Sequence, residues 1–398
     1  MLTRVTIVIA FLFFILNVRF ALGLGSIANI LDKGMFLFAS AMILATRPTN
    51  KIILGLLAAN IGMIVLLGFG TSYPQFYWST LIFGLNQIVI IYVMLSFKPD
   101  RKDCAAILIT AALLPIASTL VGALYQAAGM YKLYAIEYST GVARFQGSLI
   151  PAFLAGLSMT GAFSALLLAL VGRSPMFWIV FLANFVILLM TGGRATLVVT
   201  VLMCACTIFL RRDIPAERKI WMIAGGFAGL PIFAVAFGQK LLDRIANSGE
   251  SGRELIWDYV RQLHAQYPWT GIGFAHQFDS TPRAIVVRIA SGAAHNDFLR
   301  LKLELGNIGM PLMYLMLTAA VLVSAGRRGR MDLLMVASYG AFLLLSTSDN
   351  ALANPSYFPL FIVAAMAKYY FDQQGPVPVR PQQQKLWRMA DFSRRAGR

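Results

Sequence analysis

Apolar residues in this chain come in long blocks separated by short polar stretches. A helix needs about 20 apolar residues to cross roughly 30 Å of hydrocarbon. Blocks of that kind run near 5–23, 26–46, 52–70, 77–97, 104–124, 147–171, 175–191, 195–210, 220–238, 303–325, 331–347 and 356–372. The pattern predicts an all-α polytopic membrane protein with about twelve transmembrane helices. Asp32 and Lys33 fall in the first turns of the second block and leave it a short apolar core. The blocks at 175–191 and 195–210 sit at the lower length limit and allow little tilt. Arg4 followed by Val5–Leu16 imitates a signal peptide, but no A-x-A cleavage site follows and further spans come at once, so a retained first helix is expected.

One connection departs from this pattern. Most are short, whereas the stretch at about 239–302 is long enough for a substructure, and loops of that length are usually functional or disordered. Apolar positions 256, 259, 260 and 263 recur there at helical spacing. Tyr267-Pro268 ends that helix, because the residue before a proline is pushed out of the α region. Gly271-Ile272-Gly273 makes a tight turn. The loop therefore reads as short amphipathic helices lying on the outer membrane face. The expected layout is a transmembrane domain over 1–372 that includes this loop, followed by a basic tail at 373–398.

Composition agrees with the blocks. Of the 398 residues 58% are hydrophobic and 13% charged, and the mean hydropathy is +0.70. Soluble domains carry about 25% charge, so a water-soluble enzyme, a disordered scaffold and a secreted disulfide module are excluded. Cys104, Cys204 and Cys206 all fall in apolar blocks, and Cys204-x-Cys206 lacks the spacing and partners of a zinc site.

The net charge of +17 would suggest nucleic acid in a soluble protein. In a membrane protein, basic residues collect in cytoplasmic loops and set orientation. Arg47/Lys51, Lys98/Arg101/Lys102, Arg173, Arg211/Arg212/Arg218/Lys219, Arg327/Arg328/Arg330 and the tail fall on one side, while the 71–76 and 348–355 loops carry no Lys or Arg. Both termini are therefore expected in the cytoplasm. Of the 34 basic residues, 13 remain on or near the outer face, and eight of those belong to the 239–302 loop. The tail, with Lys385, Arg388, Arg394, Arg395 and Arg398, reads as an orientation signal or an anionic-lipid contact. The membrane lipid is an expected partner and nucleic acid is not.

Three positions could carry chemistry. The chain has three histidines, His264, His276 and His295, all in the long loop. Histidine is the side chain best matched to proton transfer near neutral pH. For His264 and His276 the plain reading is a solvated loop residue; His295, just before the tenth span, is as readily a proton acceptor. Arg194 sits in the minimal turn Thr191-Gly192-Gly193-Arg194, whose glycines let backbone approach a ligand closely. The alternative is an arginine snorkelling at the interface. Arg253 opens the loop helix and reads either as an anion contact or as an exposed charge. There is no D-x-D pair, no phosphate-binding P-loop and no H-E-x-x-H, so no metal site and no cofactor is expected. The spans hold no evident chain of Asp, Glu or His of the kind a proton-coupled transporter needs; Asp349 and Asn350, at the outer end of the eleventh span, come nearest to one.

Three stretches resemble a known family. They are Thr191-Gly-Gly-Arg194-Ala-Thr-Leu; Gly252-Arg253-x3-Trp257 running through Tyr267-Pro268-x2-Gly271-Ile272-Gly273 to Phe278; and Ala294-His295-Asn296-Asp297-Phe298-Leu299 followed by Glu304-Leu305-Gly306-x2-Gly309. In order and position they are similar to the motifs of the O-antigen ligase/polysaccharide polymerase superfamily of bacterial inner-membrane glycosyltransferases. The resemblance covers roughly 190–315. Ala143-Arg144-Phe145-Gln146-Gly147 is a softer match, because the Pro-Asn pair that often follows in the family is Pro151-Ala152 here.

The resemblance implies a GT-C-like helical bundle capped by a large periplasmic loop, with both termini cytoplasmic and the active site facing the periplasm. It implies a donor glycan on undecaprenyl pyrophosphate and an acceptor that is lipid A–core or a second lipid-linked glycan, joined by direct displacement with inversion. His295 would act as base or orient the acceptor, and Arg194 and Arg253 would bind the donor pyrophosphate. Asn296 and Glu304 would position the histidine and the helix start, and Arg144 would be a further contact. Arginine suits this role because it meets phosphate oxygens in a charge-assisted, bidentate way. The dominant loop and the H-N-x-x-L stretch favour an O-antigen ligase over an O-antigen or exopolysaccharide polymerase. A lipid-linked glycan flippase or exporter is the alternative of another class.

Overall fold

The computed structural model describes residues 2–17, 25–136, 143–171, 174–211, 214–222, 224–225, 253–289, 291–326, 329–353 and 360–372. The expected tail at 373–398 lies outside them, as does most of the expected span at 220–238. The first half of the bundle contains α1 (Leu2–Leu16), α2 (Gly25–Thr46), α3 (Lys51–Gly70), α4 (Trp78–Gly84), α5 (Asn86–Ser96) and α6 (Arg101–Ala127). A two-stranded antiparallel hairpin, β1 (Tyr134–Ile136) with β2 (Ala143–Phe145), leads into α7 (Pro151–Leu170), α8 (Met176–Thr191) and α9 (Arg194–Leu210). The long loop supplies α10 (Arg253–Gln266), α11 (Gln277–Ser280) and α12 (Arg283–Ile289), before α13 (Asp297–Ala325), α14 (Arg330–Ser346) and α15 (Leu360–Asp372) complete the bundle.

The chain is a multi-pass, predominantly α-helical membrane protein. Eleven of the expected blocks coincide with helices. Among the described residues, five segments are long and apolar enough to cross a membrane: Lys51–Gly70, Trp78–Ser96, Arg101–Ala127, Pro151–Leu170 and Asp297–Ala325. Five further apolar helices are shorter. The β-hairpin is an addition to the all-α expectation.

Local sequence accounts for the helix boundaries. Asn50 caps α3 through a 3.0 Å bond from the Ile52 backbone N–H. Asp100 and Asp103 form a reciprocal capping box at the start of α6. Pro151 opens α7, where its missing N–H costs nothing, and Gly192 ends α8 in the left-handed conformation. Burial separates a central helix from a peripheral one. From Leu154 to Ala169 every residue of α7 is buried, and its small residues Gly156, Ser158, Gly161 and Ala162 admit neighbours on all sides. In contrast α3 buries only Ile53, Leu57, Asn60, Ile64 and Gly68, one helical stripe, and leaves Ile52, Leu66 and Phe69 exposed, as a lipid-facing helix does. Pro115 inside α6 deprives a carbonyl of the preceding turn of its usual partner. Beside this break Asn184 of α8, fully buried, donates to Ala112 O at 2.8 Å.

Contacts between helix termini sort them into two ends. At one end Arg4 and Arg47 meet Asp100 and Asp103. There Arg330 donates to Leu210 O, Arg211 to Leu170 O, and Lys368 pairs with Asp332. At the other end Asn17 donates to Ser148 O, Thr71 to Gly271 O, and the long loop covers the bundle. Among the described residues, the basic loops expected on one side lie together at the first end.

Candidate active site

The long loop is anchored on α13, and the anchor explains its motif glycines. The residues Tyr267–Gly273 dock against a break in α13 at Gly306, where φ is +71°. Pro268 O accepts from Asn307 N at 2.8 Å, and Ile272 N and Gly273 N donate to Leu303 O and Glu304 O at 3.0 Å each. A Cβ on Gly306 would lie 2.1 Å from Trp269 O, and one on Gly271 would lie 2.5 Å from Glu304 C. Only glycine allows this approach. Above the anchor α10 buries Ile256, Val260 and Leu263 against Ile272, Ala294 and Leu303. The tenth span was expected at 303–325; its helix starts earlier, at Asp297, because Asn296 caps it through a 3.0 Å bond from Leu299 N.

His295 stands directly before this cap. Its φ of +48° puts a non-glycine residue in the left-handed region, a conformation that costs roughly 1–2 kcal/mol and persists where surrounding contacts impose it. Its Nδ1 lies 3.3 Å from Asp349 Oδ1, and its Nε2 lies 3.2 Å from Ser291 Oγ. The ring is about 29% exposed, so it is open to a ligand from outside. The 348–350 turn interlocks with it: Asp349 Oδ1 also accepts from Asn350 N at 2.8 Å, and Asn350 Oδ1 accepts from Asn296 N at 3.1 Å. Arg253, first residue of α10, donates to Ser348 O at 3.3 Å. His295 and Arg253 thus meet on one short turn.

Arg194 and Arg144 form a second group. Arg144 lies on β2, opposite Ala135 of β1, and its Nε donates to Thr191 O at 2.8 Å. That carbonyl opens the Gly192-Gly193 turn, after which an exposed Arg194 begins α9. Gly193 is there for close approach, since a Cβ on it would lie 2.8 Å from the Ala155 side chain of α7. α9 packs against α14. α9 starts, and α14 finishes, at the loop-covered end, so Arg194 and the 348–350 turn stand at the same end of neighbouring helices.

Glu304 plays a buried part and stands away from solvent. It is 1% exposed, its Oε2 meets Arg300 Nη1 at 3.2 Å, and its Oε1 accepts from Gln277 N at 3.2 Å. Arg300 also holds Asp297 Oδ1, through Nε at 3.0 Å and Nη2 at 2.8 Å. Two sequence expectations are corrected here. The spans were read as holding no evident chain of Asp, Glu or His, yet Asp297 and Glu304 are buried with Arg300 in a charged triad at the head of α13. His276 was read as a solvated loop residue, yet it is 1% exposed and joins two loops: its Nδ1 bonds Phe274 O at 2.9 Å and its Nε2 accepts from Tyr77 N at 2.9 Å. Its ring stacks on Phe76 at 5.0 Å. His264 is part-exposed beside Asn307 at 3.2 Å, and burial, then the Lys302 charge, push it below the ordinary histidine value.

Sequence reasoning left Asp349 outside the site, although it noted the residue. Asp349 and His295 are 54 positions apart, and the only local signal was an acid and an amide together at the end of an apolar helix.

The arrangement offers a histidine oriented by a carboxylate, with arginines on the elements around it. This suits proton transfer beside an anionic leaving group. Comparison with known families points the same way: residues 179–314 match the family model described as O-antigen ligase. The match spans about a third of the chain and includes Arg194, Arg253, His295, Asn296 and Glu304. It supports the resemblance to the O-antigen ligase/polymerase superfamily. No curated protein matches the chain.

Proposed function

We propose that this protein is a metal-independent, inverting glycosyltransferase of the ligase or polymerase type. It moves a glycan from undecaprenyl pyrophosphate to an acceptor hydroxyl, and the preferred acceptor is lipid A–core. The observation that carries this reading is His295, held on strained backbone by Asp349 and sharing the 348–350 turn with Arg253. The family match at 179–314 supports the ligase or polymerase class and lipid-linked glycans as substrates in general.

In this mechanism Asp349 accepts from His295 Nδ1–H, and Nε2, which faces the Ser291 hydroxyl at 3.2 Å, takes the acceptor proton once the acceptor hydroxyl displaces Ser291. The acceptor oxygen then attacks C1 of the donor sugar from the face opposite the pyrophosphate, and the C1–O bond to phosphate breaks. Proton transfer of this kind contributes about 10²–10⁴ in rate. The departing pyrophosphate gathers negative charge, which Arg194 and Arg253 stabilise, with Arg144 behind the Arg194 turn. Removal of one such preorganised donor typically costs about 3–4 kcal/mol of transition-state stabilisation. Arginines that neutralise a diphosphate leaving group do the work for which nucleotide-sugar enzymes commonly use a metal. The basic end of the bundle then faces the cytoplasm, by the positive-inside rule, and the loop-covered end faces the periplasm of a bacterial inner membrane.

The test is glycan transfer by the full-length protein in proteoliposomes. His295→Ala is expected to lower the rate about 10²–10⁴-fold; transfer at the normal rate would remove the assignment. A deletion strain separates the subclasses. Lipid A–core without long chains, with lipid-linked polymer accumulating, marks a ligase, and single-repeat products mark a polymerase. Lipid-linked glycan held on the cytoplasmic face would mark an exporter instead.

A further inference from the structure

Beneath the His295–Asp349 pair lies the charged triad at the head of α13, and its bonds lead to both members of the pair. Asp297, fully buried, receives Arg300 on Oδ1 and turns Oδ2 to the Leu352 backbone N–H at 2.7 Å. Leu352 is three residues after Asp349, so Asp297 anchors the turn that presents that carboxylate. On the other side, Glu304 receives Arg300 on Oε2 and the Gln277 backbone N–H on Oε1. The Gln277 side chain then grips the segment that carries His295: its Oε1 accepts from Ala294 N at 3.1 Å and its Nε2 donates to Gly292 O at 2.9 Å. Gln87 of α5 adds a 3.3 Å bond to Arg300 Nη1 and fixes the triad to the bundle.

A buried cation between two carboxylates is a costly way to stabilise a fold, since well-packed apolar residues often do as well or better. Such groups are better explained by the geometry they impose. We infer that Arg300 is a positioning residue for the transfer step: through Asp297 and Glu304 it sets the distance between His295 and Asp349 and keeps the imidazole aimed at the acceptor. The planar guanidinium reaches both carboxylates and Gln87 at once, with separate N–H groups. A lysine ammonium in its place is a single point and cannot hold all three in the same geometry. The inference rests on the proposed role of His295, and the experiment below separates the two.

Arg300→Lys keeps the buried charge and removes the fork. In the full-length protein in proteoliposomes its kcat is expected to fall about 10–100-fold, the effect of a displacement near 1 Å at a reacting group, while KM for donor and acceptor stays within about twofold of wild type. The same substitution is then placed in a His295→Gly protein whose transfer is restored by added imidazole. A free imidazole is not held by the triad, so there Arg300→Lys is expected to cost less than about twofold. An equal loss in both backgrounds would show that Arg300 serves the fold at large, and an unchanged kcat in the first would overturn the inference outright. If Arg300→Lys fails to fold, Gln277→Met removes the side-chain bonds to Ala294, Gly292 and Thr281 while the triad stays whole, and is expected to give the same pair of results. Full transfer by His295→Ala would refute the function, and it is read independently of either variant.

Discussion

Both ends of this bundle carry clusters of arginine, and they use them differently. At the basic end Arg4 and Arg47 face carboxylates: Arg47 Nη2 lies 2.8 Å from Asp103 Oδ1 and 3.3 Å from Asp100 Oδ2, and Arg4 Nη2 lies 2.8 Å from Asp100 Oδ2. At the loop-covered end Arg253 donates to a backbone carbonyl, Ser348 O, at 3.3 Å. A carbonyl satisfies the N–H geometry but brings no unit charge of its own. Arg300, at the same end, does face two carboxylates and is buried with them. On the proposed function, the arginines that meet acids fix local geometry, whereas Arg253, resting on a carbonyl, turns its field to an incoming anion. Sequence counts bases; only the partners tell these two uses apart.

The largest expected effect tests that distinction in activity. Arg253→Ala and Arg194→Ala should each lower the rate of glycan transfer about 10²–10³-fold. The loss should appear mainly in kcat, because the charge develops as the pyrophosphate leaves, with a smaller fall in donor affinity measured by donor binding to the reconstituted protein. Arg47→Ala should leave kcat and donor binding within about twofold and lower thermal stability instead, because a buried Asp103 then keeps only Arg4. If Arg47→Ala matched Arg253→Ala in transfer, the division between the two ends would fail.

Glycines give a second, smaller contrast. Gly306 and Gly326 terminate the two parts of α13 and share a positive φ, +71° and +79°. At Gly306 an added Cβ would lie 2.1 Å from Trp269 O, rigid backbone of the docked loop. At Gly326, beyond the helix end, the nearest atom is the tip of Lys368 at 3.4 Å. Gly326→Ala should therefore cost only the backbone strain of that glycine-only conformation, about 1–3 kcal/mol. Gly306→Ala adds the clash and should cost about 3 kcal/mol or more, read as a lower Tm or as loss of extractable protein. Equal Tm values for the two variants would show that the loop can slide off its anchor without harm.

The sequence was most informative where interactions are local or collective. Helical spacing placed α10, and Ile256, Val260 and Leu263 are the residues it buries. Pro268 stopped that helix, and the alternation of basic loops anticipated which termini share an end. His295 stood out because a histidine before a capped apolar helix is a short-range pattern. What stayed hidden depends on chain separation. His276 is buried by Tyr77 and Phe76, 199 and 200 positions away, which no spacing in the loop could announce. Arg300 is the exception: its acids lie three and four positions away, but the expected span began at 303, which left Asp297 and Arg300 outside the helix that pairs them. Asp349 became part of the site through a turn 54 residues downstream of His295.

The smallest effect is the pH response of the basic end. Burial pushes the Asp100 carboxyl up, but the Asp103 backbone N–H, and after it the Arg4 and Arg47 guanidinium groups, outweigh this and hold it below the usual carboxylate value. A carboxylate depressed in the folded state contributes stability that is fully present above its unfolded pKa of about 4 and is lost as pH falls through the folded value. From pH 8 down to about 5 this group should therefore leave stability flat. Below about pH 4 the capping box of α6 and the ion pairs with Arg4 and Arg47 weaken together. Asp100 is 43% exposed, so solvent screening limits its share to less than about 1 kcal/mol. Asp100→Asn should lower Tm slightly at pH 7 and reduce the fall in Tm between pH 5 and 3. The same acid slope in wild type and Asp100→Asn would show that Asp100 adds nothing to the acid response of the basic end.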